Sequence, residues 1–234
     1  MPLTLVVTAV AAERDAVADG IGEPQAVTVG PYPSCRRCET DGPDVLVVAG
    51  GVGPAAAAAA TALVVATHDV GLVVSMGVAG AFASARLAHG DTAVASSIVA
   101  ADLGAMSPER FLDLAALGLD GGATVDCPPA LVAAARDRVA AAGLHVAVGA
   151  ILTLSTMTGT AERAAELMGR HGAVAEAMEG AGVAHVAALH ALPVLEVRTI
   201  SNEVGLRDRT SWDLVTALVS LGTAAGALFA EGLA

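Results

Sequence analysis

In Val45-Leu46-Val47-Val48-Ala49-Gly50-Gly51-Val52-Gly53-Pro54 five apolar residues run into a glycine turn, and Pro54 opens an alanine-rich stretch that reaches His68. The apolar run is continuous rather than alternating, as in a strand buried on both faces. Proline costs nothing at the first helical position, because the missing N–H has no partner there. The stretch therefore predicts strand, turn and helix, with the alanine run 55–60 as a close-packed helix face. The same order recurs along the chain. Leu3 to Val7 predicts a buried strand, followed by a helix from Ala11 to Gly20. Residues 25–40 hold two weaker alternating segments around Gly30-Pro31, which predict a hairpin. Leu72 to Met76 predicts a third buried strand. Further strands are expected near 92–100, 146–152, 173–177 and 194–200. Helices are expected at 128–142, 161–169 and 180–190, with a closing helix from about Ser211. Buried strands alternating with helices imply an α/β fold whose mostly parallel sheet is covered on both faces. No linker or repeat interrupts it, so residues 1–234 are expected to form one domain.

Composition narrows the chemistry. The chain has 234 residues, 55% of them apolar and only 2% aromatic, so Ala, Val, Leu and Ile must fill the core. There are 24 acids against 12 basic residues, a formal charge of −12. Such a surface repels nucleic acid and anionic membranes. All the basic residues are Arg. Without Lys, Schiff-base catalysis, lysine-anchored pyridoxal phosphate and the P-loop lysine are excluded. Cys35, Cys38 and Cys127 are too few for a disulfide scaffold. The opening MPLTLVVTAVAAERD lacks the basic start of a signal peptide. Val45 to Thr67 is uncharged but broken by glycines, and Leu214 to Ala230 is slightly short for a membrane span. The expectation is a cytoplasmic protein with no membrane partner.

In open α/β sheets, ligands bind at the carboxyl ends of strands. Chemistry is therefore expected at Ala9–Glu13, Gly50–Pro54, Gly77–Gly80, Ala177–Gly180 and Ser201–Asp208. Gly51-Val52-Gly53-Pro54-Ala55-Ala56 has the form of a dinucleotide fingerprint. That motif needs an acid about 20 residues further on, at the end of the next strand. Here Asp69 precedes that strand and Met76-Gly77 ends it, so the context fails. Cys35-Arg36-Arg37-Cys38 has metal-ligand spacing but no second pair, whereas structural zinc takes four ligands. The histidines are scattered, and His185 and His190 read as ordinary helix residues. Glu13 read alone is a solvent-facing carboxylate favoured by a helix N-terminus. Glu176-Ala177-Met178-Glu179-Gly180-Ala181-Gly182 and Glu196-Val197-Arg198-Thr199-Ile200-Ser201-Asn202-Glu203 each put polar groups at the end of a buried strand. Such groups are costly unless satisfied or used.

Together these segments resemble the purine nucleoside phosphorylase and nucleosidase superfamily, over nearly the whole chain. The resemblance rests on Ala9 to Glu13, Gly50 to Pro54, Gly77-Val78-Ala79-Gly80-Ala81-Phe82 and Ala101 to Glu109. It continues through Thr156-Met157-Thr158-Gly159-Thr160, Glu176 to Gly180, and Arg198 to Gly205 with Arg207-Asp208-Arg209. Within the superfamily the likeness is greatest to the futalosine hydrolases of menaquinone biosynthesis. It implies a three-layer α/β/α fold with a mixed central sheet, a homo-oligomer, a small nucleoside substrate, and no metal or organic cofactor.

The resemblance also implies roles. Glu13 matches the water-activating carboxylate. Glu179 matches the residue that binds ribose hydroxyls, with Met178 packed on the sugar. Val78, Ala79, Gly80, Thr156, Met157 and Ser201 fall among the expected substrate contacts, with Asp102 and Thr158 near the pocket. Asn202 stands where nucleosidases for adenine compounds carry Asp. An amide cannot deliver a proton, but it can accept from N7–H and donate to a 6-oxo oxygen, which favours hypoxanthine as the leaving base. Ser75 to Gly80 offers no cation for phosphate and Glu13 would repel it, which favours water as nucleophile. Val78 replaces a Ser common in methylthioadenosine nucleosidases. Arg207 and Arg209 are candidates for the carboxylate of futalosine's 5′ chain, with Trp212 packed on its ring. The alternative is an ion pair with Asp208 or Asp213. Rival functions are a nucleosidase for aminofutalosine or methylthioadenosine, a 6-oxopurine nucleoside phosphorylase, an NAD-dependent oxidoreductase and a silent nucleoside-binding module.

Overall fold

The computed structural model describes residues 1–119, 121–229 and 233. In chain order the elements are β1 (Leu3–Thr8), α1 (Ala11–Ile21), β2 (Gln25–Val29), β3 (Tyr32–Cys38), β4 (Val45–Ala49), α2 (Pro54–Thr67) and β5 (Val70–Ala81). They continue with β6 (Thr92–Ala100), β7 (Gly104–Met106), β8 (Phe111–Asp113), β9 (Thr124–Asp126), α3 (Pro129–Ala141) and β10 (Val146–Thr153). The last are α4 (Ala161–His171), β11 (Ala175–Ala177), α5 (Gly180–Leu189), β12 (Val194–Glu203) and α6 (Leu214–Phe229). Among the described residues, no helix is long and apolar enough to cross a membrane. Ala230, the end of the apolar stretch noted above, lies outside them.

The sheet order is β11-β10-β6-β12-β5-β1-β4-β3-β2. Strands β4, β1, β5 and β12 pair in parallel, as do β6, β10 and β11. The hairpin β2–β3 extends one edge antiparallel, and β12 meets β6 antiparallel, so the sheet is mixed. Helices α1, α3 and α6 pack together, while α2 pairs with α5. This is the expected layered α/β architecture.

Two departures from the sequence expectation position the site. First, β5 does not end at Met76, nor β12 at Ile200. Both stay extended, to Ala81 and Glu203, with Asn202 and Glu203 paired to Gly80 and Ala81. Glycine and serine do not end these strands because a neighbouring strand continues beside them. Second, β11 pairs with β10 on one side and returns to β5 on the other. Strands β5, β12, β6, β10 and β11 thus form a closed ring at this end of the sheet. The short hairpin β7–β8 and strand β9, which the sequence did not announce, lie after β6.

Candidate active site

Glu13 lies in the first turn of α1 and is only 4% exposed, so it is not the solvent-facing carboxylate its position alone suggested. Its Oε2 accepts from the N–H groups of Ala9 (2.9 Å) and Val10 (3.2 Å), and its Oε1 from the N–H of Val78 (2.9 Å). The loop after β1 and the extension of β5 thus aim one carboxylate from both sides. Burial pushes its carboxyl above the usual range, opposed by Arg198 and by the Val78 N–H.

Arg198, in the middle of β12, organises the rest. Its Nη1 donates to Glu179 Oε2 (3.2 Å), its Nε to Glu196 Oε1 (2.9 Å) and its Nη2 to Ser75 Oγ (2.9 Å). The side chain is 1% exposed. A Cβ on Gly77 would lie 2.6 Å from Glu13 Oε1 and 2.7 Å from Arg198 Nη1. Both groups therefore crowd onto the bare Cα of Gly77, and any side chain there would displace one of them. Arg198 was not singled out from the sequence. The signal was available: Glu196 and Arg198 alternate within an apolar strand, so both face one side. Glu196 is fully buried, and burial pushes its carboxyl up to about 7 against the pull of Arg198.

Glu179 immediately precedes α5, and its Oε1 accepts from the N–H of Gly53 at 3.1 Å. That amide belongs to the glycine turn in which a dinucleotide site was weighed. It holds a protein carboxylate where a pyrophosphate would have to sit, so the oxidoreductase alternative loses its one structural support. Met178 is half-buried beside it.

Asn202 stands opposite Gly80 of β5, just after a register shift that leaves Ser201 unpaired. Bulges re-aim side chains in this way. Ser201 Oγ donates to Asn202 Oδ1 (2.8 Å), with Ala79 O at 3.3 Å as its other acceptor, and Asn202 Nδ2 donates to Glu203 O (3.0 Å). A Cβ on Gly80 would come within 3.0 Å of Asn202 Nδ2. Glu13 at Val78 and Asn202 at Gly80 therefore sit two residues apart along one strand. Glu179, through Arg198, reaches the Gly77 position where Glu13 also lies.

The remaining predicted positions divide. Val78 is half-buried and Ala79 and Gly80 are buried within β5. Thr156 is exposed and Met157 half-buried in the segment after β10, while Thr158 is buried and bonds Glu176. Asp102 accepts from the N–H of Ser155 at 2.6 Å, fixing the start of that segment. Asp102 and His185 line a groove of about 580 Å³ beside α2 and α5. Arg207 and Arg209 are exposed and touch none of the acids above. Their guanidinium carbons lie 5.4 and 5.8 Å from the Trp212 ring centroid. The helix-start ion pair does not form: Asp208 accepts from Thr210 and Asp213 from Thr216. Cys35, Cys38 and Cys127 are free and buried, and burial pushes Cys38 up to about 11 and Cys127 up to about 12. Among the described residues, no cluster of three or more His, Cys, Asp or Glu could hold a metal ion.

Known proteins share this arrangement of the chain. The futalosine hydrolase of Streptomyces coelicolor is 47% identical over 230 residues, 96% of this chain and 94% of that protein. The structure of futalosine hydrolase from Helicobacter pylori strain 26695 superposes with a TM-score of 0.81 at 20% identity, covering 98% of this chain and 97% of that one. The 5′-methylthioadenosine/S-adenosylhomocysteine nucleosidase of Neisseria meningitidis, in complex with methylthio-immucillin-A, gives 0.82 at 21% identity, with 98% and 99% covered. A family model described as the phosphorylase superfamily matches residues 5–231. By that match and by its identity to a curated member, the chain belongs to the phosphorylase superfamily.

Proposed function

We propose that the protein hydrolyses the N-glycosidic bond of futalosine, releasing hypoxanthine and dehypoxanthine futalosine on the route to menaquinone. The observation that carries this reading is the convergence of Glu13 and Arg198 on Gly77, with Glu179 bonded to the same guanidinium. Cleavage passes through an oxocarbenium-like state, as at other glycosidic bonds. Glu13 accepts a proton from a water as its oxygen bonds to C1′. The C1′–N9 bond breaks, and its electron pair leaves with the base. Glu179 accepts from ribose hydroxyls and, being anionic, stabilises the charge developing on the sugar. Asn202 accepts from N7–H of the departing base and donates to O6; the N7 proton comes from solvent, since an amide cannot supply one.

Water rather than phosphate fits this site. A phosphate would need cations, and Arg198 is already engaged by two carboxylates and Ser75. The likeness to the Streptomyces coelicolor hydrolase supports the choice of futalosine. A second reading, a nucleosidase for aminofutalosine or methylthioadenosine, draws on the fold shared with the Neisseria meningitidis enzyme. Asn202 supports the 6-oxo substrate over these. The enzyme is expected to be a cytoplasmic homo-oligomer, its assembly measurable by sedimentation.

The test is an assay of futalosine, aminofutalosine, inosine and methylthioadenosine, each incubated alone with the enzyme. Chromatography identifies the released base. Hypoxanthine from futalosine in preference to all others supports the reading. Adenine from methylthioadenosine as the main product replaces it with the second.

A further inference from the structure

Glu196 is a fully buried acid that the scheme above leaves without a task. It stands opposite Ser75 in the pairing of β12 with β5, and Arg198 stands opposite Gly77. Residues two apart on a strand share one face of the sheet, so all four positions look onto the same side. Arg198 is held at two points on that face: its Nε donates to Glu196 Oε1 at 2.9 Å and its Nη2 to Ser75 Oγ at 2.9 Å. Nη1 points onward, to Glu179 Oε2 at 3.2 Å. The Nε bond is the one hydrogen bond that the Glu196 side chain makes among the described residues, and Oε2 has no partner there. A Cβ on Gly180 would collide with both carboxylate oxygens, so the group is wedged between β12 and the start of α5. An interior acid with a single bonded partner is costly. A buried ion pair is often no more stabilising than the apolar groups that would replace it. What it does supply is a fixed place for a guanidinium.

We propose that Glu196 is a positioning residue for the reaction: by anchoring Nε, it turns the Arg198 guanidinium towards Glu179 and keeps it from bonding Glu13. The inference rests on the hydrolytic reading given above. Glu13 and Arg198 both reach Gly77, yet they form no ion pair. Every bond that Glu13 makes among the described residues is to a backbone N–H. That separation matters to a general base. A guanidinium bonded to Glu13 would occupy the lone pair that takes the proton from water, and would make the carboxylate less basic. Both groups lie against one point over Gly77, so a small swing of the guanidinium closes the gap. Glu196 at Nε and Ser75 at Nη2 oppose that swing. The charged or titratable groups gathered here are Glu13 on α1, Glu179 before α5, Glu196 and Arg198 on β12, and Cys127 after β9, whose thiol burial keeps neutral. Arg14, next to Glu13 on α1, is paired with Asp15. What Nε needs at position 196 is a lone pair held in place, which an amide oxygen also supplies.

The test follows kcat/KM for futalosine against pH in wild type, Glu196→Met, Glu196→Gln and Ser75→Ala. The acid limb of that profile reports the essential base of the free enzyme. Glu196→Met releases the guanidinium to Glu13. The limb should move down by about one pH unit or more, the effect of an opposite charge on a carboxylate. The plateau should fall by about tenfold to a hundredfold, as a weaker base takes the proton. Glu196→Gln keeps the acceptor, so its limb should stay with wild type. Ser75→Ala loosens the second anchor and should move the limb the same way by less. A limb unmoved in Glu196→Met would leave Glu196 a structural group only and overturn the proposal. A limb moved as far in Glu196→Gln as in Glu196→Met would assign the effect to charge rather than anchorage, and overturn it as well. Should Glu196→Met fail to fold, Ser75→Ala decides: an unmoved limb there overturns the proposal. Wild type that releases no base from futalosine or any other purine nucleoside would instead sink the hydrolytic reading, and the proposal with it.

Discussion

Arg198 and the pair Arg207 and Arg209 belong to one strand and the loop that follows it, yet they are built in opposite ways. Arg198 is buried, and each arm of its guanidinium has a fixed partner: Glu196, Glu179 and Ser75. Arg207 and Arg209 are exposed, pair with no acid among the described residues, and lean on the faces of Trp212. The difference follows from solvent. A buried cation is tolerable only with its charge and donors matched, and that matching fixes the geometry of every carboxylate it touches. An exposed cation needs no such matching and can follow a ligand. In the proposed reading, the first region holds the reacting atoms in place and the second recognises the substrate's carboxylate.

The comparison breaks most visibly at Arg198. Arg198→Met leaves three carboxylates facing one another without a cation. Removing one partner of a buried ionic cluster costs about 3–5 kcal/mol. Thermal unfolding should show that loss, together with abolished base release. A variant of unchanged melting temperature would deny the cluster its structural weight. Glu13→Gln keeps the shape of the site but not the base. Base release should drop by about a thousandfold, within the range of general-base removal, with the melting temperature near wild type. The wild-type rate should also rise with pH as Glu13 loses its proton, above the usual carboxylate range, because burial favours the protonated form.

Glu196→Gln sharpens the electrostatic half of the comparison. The folded carboxyl titrates at about 7 against an unfolded value of about 4.5. The native state therefore binds more protons in that window, and stability falls as pH rises from the lower value to the higher. Melting temperatures measured across it should decline less in the Gln variant than in wild type. Parallel declines would mean that Glu196 does not titrate there. The smallest effect is expected on the exposed loop. Arg207→Ala and Arg209→Ala should each raise KM for futalosine about threefold to tenfold relative to inosine, as fits a solvent-exposed charge–carboxylate contact. Unchanged selectivity would remove the loop from recognition of the substrate's carboxylate.

The layered fold was legible because each buried strand is a continuous β-branched run and each helix follows within a few residues. Pro54 and the glycine turn before it marked one such junction correctly. The ring at the end of the sheet was not legible. It depends on β11, three residues long, pairing with β5 nearly a hundred positions earlier, and no local pattern encodes that pairing. Gly77 and Gly80 looked like a turn because glycine usually ends a strand. Here their missing side chains make room for Glu13, Arg198 and Asn202. Glu13, Glu179 and Asn202 were singled out by the resemblance to the superfamily; read alone, Glu13 pointed to solvent, and only the pairing of its loop with β5 buries it. Arg198 and Glu196 lay within an apolar run, where a charge is tolerable only with partners that other strands supply. Arg207 and Arg209 were anticipated as a pair, but whether they would meet Asp208 and Asp213 or a ring face depended on side-chain packing.

The central claim is that Glu13 directs water, not phosphate, at the sugar. The most direct measurement is the initial rate of hypoxanthine release from futalosine as phosphate is raised from zero to saturating levels, with the sugar product identified. A rate independent of phosphate and a product with a free anomeric hydroxyl are predicted. An absolute requirement for phosphate, with a sugar 1-phosphate as product, would contradict it.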